Sequence, residues 1–418
     1  MDAITIKHAS AMPAPTWSWL RMNDTDIRIP DGLERACDVK IEAGDGLTSR
    51  HASFEGALAD LQERLDAARA GAADGRASVR AATEPDRGAA DLETPALSAY
   101  EKRAVLEEVE GDVAKAFETG VGRDARSYLN MLAGGTVVLA SEENAAEKAT
   151  VSIQAAPGTA SSSSIDVVAA PGSRIELAVS IDAAGSGAGL VGNEMRVFAG
   201  AGAKVDVTVY VTADDGFTAI DDSGFVLDEG ARVNVRHEVL GGGFTATGLA
   251  ADLRGDGSKI AIDTRYLAAR EEVRDYNYIV RHRGRKTECA IDANGVLTGT
   301  SKKTLRGTID LVHGCKGSQG NERETVLLAN RGVENKTVPV ILCDEDDVAG
   351  NHGATIGHVR PEQLFYAACR GLSEQQAEDL FISAKLADAA IAAPNEGIRA
   401  NVVRLGGRLI EGFEEEIS

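Results

Sequence analysis

The side chains best suited to chemistry gather late in the chain, in the run Cys343-Asp-Glu-Asp-Asp-Val-Ala-Gly-Asn-His-Gly-Ala-Thr-Ile-Gly-His358, which offers a thiol, four carboxylates and two imidazoles. Thiolate and imidazole suit iron and zinc and carboxylate suits harder ions, so the set admits several metals and selects none. Ordinary structural roles compete for the same residues. His352, between Asn351 and Gly353, fits a turn histidine satisfied by backbone, and so does His358. Cys343 continues the aliphatic run 338–342 and reads as a small core residue. Residues 344–347 read as a solvated acidic turn. The familiar catalytic signatures are missing: there is no G-x-x-x-x-G-K-[ST], no G-x-S-x-G and no H-E-x-x-H, and Gly241-Gly-Gly lies between strand patterns with no helix pattern after it.

The elements that position this run belong to a chain of 418 residues, 43% apolar and only 4% aromatic, with 65 acidic against 44 basic residues and a formal charge of −21. That is a globular composition with an aliphatic core, and its charge excludes phosphate-backbone binding as the main role, hence no nucleic-acid partner. No apolar run reaches the ~18–20 residues of a membrane helix, so no membrane partner is expected. The N-terminus lacks a basic stretch followed by an apolar one, which makes the expected address cytoplasmic. Five cysteines, an odd number without a C-x-x-C pair, indicate free thiols rather than a disulfide framework. The last four follow one another at intervals of 26, 28 and 26 residues, which would allow some to stack on neighbouring coils of a repeat fold, as plain core.

The region 1–130 reads as helical. Phe54, Leu58, Leu61 and Leu65 step by helical intervals, a mobile linker of Ala, Gly, Arg and Asp occupies about 67–96, and a second helix runs over about 98–118, opened by Ser98 and Glu101. Trp17 and Trp19 read as a hydrophobic anchor for the N-terminal arm. From 131 to 357 the apolar period becomes two, and a motif of Gly, small residue, basic residue and aliphatic-x-aliphatic recurs at Gly172, Gly202, Gly230 and Gly257, with a looser copy at Gly284. Self-similarity at ~28 residues, with two strands per period, is too short for a propeller blade and fits a β-helix, with Gly at the corners. The region 358–418 turns helical again, with Pro361 at one helix start and Ser373 with Gln376 as a capping box at the next. The expected fold is mainly β, a right-handed parallel β-helix whose two ends are capped by N- and C-terminal helical regions.

Three runs carry a family resemblance: Val348-Ala-Gly-Asn-His-Gly-Ala-Thr-Ile-Gly, Glu362-Gln-Leu-Phe-Tyr with Arg370-Gly-Leu-Ser-Glu-Gln-Gln-Ala, and Pro15-Thr-Trp-Ser-Trp-Leu-Arg. They resemble the SufB/SufD family of iron–sulfur cluster assembly proteins, and the His-Gly-Ala-Thr-hydrophobic-Gly form resembles its SufD branch. The resemblance implies a non-catalytic scaffold subunit of a SufBCD-type complex, with a SufB-like subunit and a SufC-like ABC-type ATPase as partners, and a homodimer when isolated. It implies no permanent cofactor but a transient iron–sulfur cluster at a subunit interface. His352 then takes the place of the interface histidine implicated in cluster formation, and Cys343 is a secondary candidate. The ATPase-docking segment maps to about 361–385, with Pro361, Leu364, Phe365, Tyr366, Arg370 and Gly371 in its first part. One departure is that Gly350-Asn351 replaces the Cys-Ser often found before His-Gly, so no thiol stands beside the histidine. The competing classes are a carbohydrate-active β-helix enzyme, which would need an acidic ladder on an exposed sheet, and a purely structural β-solenoid.

Overall fold

The computed structural model describes residues 4–14, 22–53, 56, 57, 59, 60, 117–329 and 331–417. Of the amphipathic stretch 54–65 only residues 56, 57, 59 and 60 are described, and they are helical; the linker at 67–96, the second helix up to residue 116 and Trp17 and Trp19 lie outside the described residues.

The body of the protein is a parallel β-solenoid of about eight turns. One sheet stacks β6 (Thr136–Ser141), β8 (Thr159–Ala169), β10 (Gly189–Ala199), β12 (Phe217–Leu227), β14 (Phe244–Leu253), β16 (Val273–His282), β18 (Lys302–Leu311) and β20 (Glu334–Cys343). The other stacks β7 (Ala146–Ala155), β9 (Arg174–Ala183), β11 (Lys204–Val211), β13 (Arg232–Val239), β15 (Lys259–Ala268), β17 (Glu288–Leu297), β19 (Gln319–Leu328) and β21 (Ala349–His358). Each turn contributes one strand to each sheet, and alternate residues of both face a shared lumen. Columns such as Ile175, Val205, Val233, Ile260 and Cys289 stack there, fully buried, one per turn.

The recurring glycine motif builds one corner of four successive turns. Gly172, Gly202, Gly230 and Gly257 all have φ between +64° and +70°, a region L side chains enter only with strain. Their N–H groups donate to the next turn: Gly172 to Ala201 O, Gly202 to Glu229 O, Gly230 to Asp256 O. The small residue that follows is buried inside the corner, as Ser173, Ala203, Ala231 and Ser258, and the basic residue opens the strand facing solvent. In the turn that follows, the left-handed position is Lys286, φ +54°, and not Gly284; Lys286 N–H donates to Lys316 O, and Thr287 takes the buried small position.

Among its described residues, the region before residue 130 that was expected to be helical also contains strands. Besides β1 (Thr5–Ala9), β2 (Thr25–Arg28) and β3 (Glu34–Ala36), it holds a hairpin of β4 (Asp38–Ala43) and β5 (Leu47–Ala52) that splits across the two sheets. β4 runs antiparallel to β7 and β5 antiparallel to β6, so the hairpin closes both sheet edges at this end. The period-two signal of residues 38–52 is weak because the strands are mostly exposed on one side. Helix α1 (Arg123–Ala133) covers the outer face of the first sheet with Ala125, Leu129 and Leu132.

The C-terminal helices do not cap the other end. α2 (Pro361–Cys369), α3 (Glu374–Ile391), α4 (Glu396–Leu409) and α5 (Phe413–Ile417) follow β21, and α3 and α4 lie on the outer face of the second sheet. There Leu386, Ala389, Val402 and Leu405 pack on Tyr210, Leu240, Leu267 and Val296. Tyr210 donates its hydroxyl hydrogen to Ala389 O at 3.0 Å, and Arg404 bridges Asp182 and Asp214, both at 2.7 Å. Apolar outward positions on the middle turns thus draw the helices sideways, away from the end they were expected to protect. No described helix is long and apolar enough to cross a membrane.

Candidate functional site

The last turn is where the expected site residues fall. The parallel register sets Glu322 beside His352 and Val326 beside Ile356, so the even-numbered residues of β21 face the lumen. A Cβ placed on Gly350 would meet Ile341 Cγ2 at 2.9 Å and one on Gly353 would meet nothing, which fixes the same parity. His352 is therefore lumen-facing in register yet exposed, because no described turn covers it. The pairing also puts Cys343 on the lumen side of β20, beside Leu311. Cys343 is exposed rather than core, its thiol 3.3 Å from Glu345 O. His358 is exposed at the far end of β21.

Cys343 and His352 share this open end but not one position along it. Gly350 lies across the lumen from Ile341, so His352, two residues further on, is level with Pro339 and away from Cys343. Among the described residues no three His, Cys, Asp or Glu side chains converge as a metal site. The cysteine spacing does not produce a stack either. Cys289 is buried in β17 beside Gly320, Cys315 is buried in a turn, and Cys343 belongs to the other sheet. Burial pushes the Cys289 thiol up to about 12 and that of Cys315 up to about 11, so neither is a thiolate at neutral pH.

Beneath the exposed turn the lumen turns polar. Lys303, fully buried, is paired with Glu324, and its ammonium also donates to Thr337 Oγ1 at 3.2 Å. Glu324 further accepts from Thr337 at 2.5 Å and from the Tyr266 hydroxyl at 3.3 Å. Glu322 is 3% exposed, and neither of its carboxylate oxygens receives a hydrogen bond. Burial first, and the charge of Glu324 second, raise its pKa to about 7 against the pull of Lys303. Sequence reasoning passed over these three residues. Counting back by twos from the core residues Val326 and Leu328 reaches Glu324 and Glu322, two acids in apolar phase, and that was the available signal.

The edges of this turn are open. Among the described residues β20 and β21 each pair on one side only, with β18 and β19. Their inward residues Ile341 and Ile356 are 39% and 50% exposed, whereas the register partners Ile309 and Val326 one turn below are buried. On the outer face of β20, Val338 and Val340 are covered by Met12 and Met22. Arg306 holds that arm through Met22 O at 2.6 Å and Asp24 O at 3.0 Å.

The segment named for ATPase docking forms α2 and most of α3. Ser373 and Gln376 form the capping box of α3, while at α2 the Gln363 side chain accepts from the Arg360 backbone N–H at 3.0 Å. Pro361 opens α2 and Leu364 is half-buried. Phe365 and Tyr366 are 71% and 60% exposed, Arg370 lies over the Tyr366 ring at 4.8 Å, and Gly371 turns the chain at φ +85°. Among the described residues the outward acids of the second sheet are interleaved with bases: Glu176 pairs with Lys148 and Arg174, Asp263 with Arg265, Glu288 with Lys259 and Asp292 with Arg323.

The family described as "SUF system FeS cluster assembly, SufBD core domain" matches residues 151–385, the solenoid from β7 through most of α3. The chain belongs to the SufB/SufD family. Two of its similar relatives are named iron–sulfur cluster assembly protein SufD. The one from Bacillus subtilis is 25% identical over 194 residues, 46% of this chain and 44% of the relative, and the one from Escherichia coli is 27% identical over 188 residues, 45% and 44%. A SufBD family protein of Staphylococcus saprophyticus is 28% identical over 131 residues, 31% of this chain and 28% of its own. The chain thus matches less than half the length of these curated relatives, and within the family it is SufD-like.

Proposed function

We propose that this chain is a SufD-like scaffold subunit of a SUF-type iron–sulfur cluster assembly complex in the cytoplasm. It catalyses no reaction itself. A SufB-like subunit docks on the open last turn, an ABC-type ATPase on α2, and the nascent cluster is cargo held transiently where the two scaffold subunits meet. The observation that carries this reading is the end of the solenoid where, among the described residues, no strand pairs with the outer edges of β20 and β21 and the inward residues Ile341 and Ile356 stand exposed on the same strands as Cys343 and His352. Such an edge invites another chain and is ordinarily blunted when it has no partner. A docked subunit would complete the last turn as an added turn would, and would bury His352 at the junction. Neutral imidazole ligates iron less strongly than thiolate, which suits a site that must release its cargo. The neighbouring patch of Phe365 and Tyr366 supports an apolar partner at α2, and ATP-driven movement of that helix relative to the last turn would open the junction by shifting a population between two states.

Co-expression with the SufB-like and SufC-like proteins of the same genome, followed by light scattering on the purified material, tests the assembly. A stable complex containing the ATPase is expected, with Phe365→Ala/Tyr366→Ala releasing the ATPase alone and His352→Ala preserving assembly while lowering cluster formation. A lone monomer or homodimer under all conditions, or unchanged cluster formation with His352→Ala, contradicts the reading.

A further inference from the structure

Three of the seven tyrosines of this chain meet inside the solenoid, in a lumen that is otherwise mostly aliphatic. Tyr266 and Tyr276 lie with ring centroids 5.4 Å apart and Tyr276 and Tyr278 with centroids 6.1 Å apart, and the Tyr278 ring stands parallel to the His237 imidazole at 5.9 Å. All four side chains are fully buried, and His237 interrupts a column that opens with Val179 and Val209. The row points toward the open end. A Cβ on Gly295 would collide with the Tyr266 ring, which therefore leans over the next turn, and the Tyr266 hydroxyl reaches Glu324, two turns further on, at 3.3 Å.

The three phenols differ in where a proton can go. The Tyr276 hydroxyl is buried with no hydrogen-bonding partner among the described residues, although phenylalanine would fill the same space without that cost. The Tyr266 hydroxyl meets Glu324, which is already engaged by Lys303 and Thr337. The Tyr278 hydroxyl lies 2.8 Å from Thr264 Oγ1 and 3.5 Å from His237 Nδ1. Behind the imidazole, Asp221 Oδ2 stands 3.4 Å from His237 Nε2, and neither atom has another partner among the described residues. The second carboxylate oxygen accepts from Asn193 at 3.0 Å. This carboxylate favours the tautomer with its proton on Nε2 and leaves the Nδ1 lone pair toward the phenol. Acid, imidazole and phenol in that order can take the Tyr278 proton and return it. Burial raises the pKa of Tyr278, so the phenol is protonated at rest and any loss of its electron is coupled to loss of that proton.

We propose that Tyr278 is a redox-active residue, a sink for one-electron oxidising equivalents that enter at the open end and reach it through Tyr266 and Tyr276. The oxidant is hydroxyl radical, formed where ferrous iron meets peroxide; for that source the inference rests on the scaffold reading, which brings iron to the open end. The hydroxyl radical gains one electron and becomes hydroxide. Tyr278 supplies that electron through the rings of Tyr276 and Tyr266, and its proton moves to His237 Nδ1, leaving a neutral tyrosyl radical beside an imidazolium that faces Asp221. A thiol reductant restores the phenol by giving one electron back along the row, its own proton neutralising the hydroxide while the proton on His237 returns to Tyr278. Oxidising power is thereby drawn away from the turn where the cargo is handled.

The test flash-oxidises the purified full-length chain with photo-excited ruthenium tris-bipyridine and persulfate and follows radicals by electron paramagnetic resonance. A tyrosyl radical that persists at least tenfold longer than in Tyr278→Phe is expected. His237→Gln, which removes the proton acceptor, should shorten its lifetime in the same way and is read alone if Tyr278→Phe does not fold. Lifetimes equal to wild type in the folded variants overturn the proposal. The chain is then exposed to ferrous iron and peroxide, and oxidation of β20 and β21 is measured by peptide mass spectrometry. Heavier damage in Tyr278→Phe is expected, and equal damage overturns the protective role. The flash experiment needs neither iron nor partners, and complex formation is followed in the same variants, so failure of the radical sink is distinguished from failure of the scaffold reading.

Discussion

The two ends of the solenoid are made of the same coil and finished in opposite ways. At the first turns the hairpin of β4 and β5 lays an antiparallel strand on each sheet, and the core residues beneath it, Val151 and Ile153, are wholly buried. At the last turn no described strand follows β20 or β21, and the equivalent inward residues Ile341 and Ile356 stand open. A chain that closes one end with backbone pairing has the means to close the other. The contrast is what the proposed docking at the open end rests on, because open edges are ordinarily suppressed.

The contrast can be pressed first at the charged interior under the open end. Lys303→Met leaves Glu324 and Glu322 without an ammonium and is expected to cost about 3–5 kcal/mol in chemical denaturation of the isolated chain. A loss under about 1 kcal/mol would show that solvent already reaches this lumen and that the open end extends deeper than one turn.

A matched pair of isoleucines compares the ends directly. Ile153→Ala beneath the hairpin should cost about 2–5 kcal/mol, as fully buried large-to-small changes do. Ile356→Ala at the open end should cost less than about 1 kcal/mol in the isolated chain. Equal losses in denaturation midpoint would mean that the open end is covered in solution.

The pH response is expected to be smaller. Glu322 holds its proton to about pH 7 in the folded chain against an ordinary value of 4.5. The folded state then binds the proton more tightly than the unfolded one, so this group's contribution to stability falls as pH rises from about 4.5 through 7 and is constant beyond. Glu322→Gln should flatten the pH dependence of the melting temperature over that window by an amount on the order of 1–3 kcal/mol in metal-free protein. An unchanged slope would show that Glu322 is ionised and solvated throughout.

The smallest effect concerns a corner. Lys286 occupies the left-handed position that glycine fills in the preceding turns, so Lys286→Gly should raise stability by roughly 0.5–1 kcal/mol. Gly202→Ala, at φ +67°, should lower it by about 1 kcal/mol.

The solenoid was legible in the sequence because its corner requires a left-handed residue, then a buried small one, then an aliphatic alternation, and this pattern repeats at Gly172, Gly202, Gly230 and Gly257. The Lys286 turn was misread by two residues because a lysine carries the positive φ and a nearby glycine attracted the alignment. The closing hairpin was missed since one-sided strands of Lys, Glu, Ser and Arg have little apolar period. The helices were expected at the ends because their sequences show an apolar stripe but not what it packs against; Tyr210, Leu240, Leu267 and Val296 decide that, on solenoid turns far upstream of the helices they hold. At the site, His352 and the exposed α2 residues stood out by motif, whereas the buried carboxylates became visible only once the register placed Glu322 under His352.

The most direct test of the account is to charge the open edge. Ile341→Lys/Ile356→Lys leaves the closed end and the buried lumen of the lower turns untouched. Light scattering of the co-expressed proteins should show the double variant as a folded, separate chain with at least roughly tenfold weaker association with the SufB-like subunit. If the double variant assembles with that subunit as the wild type does, the open end is not the assembly surface and the central claim fails.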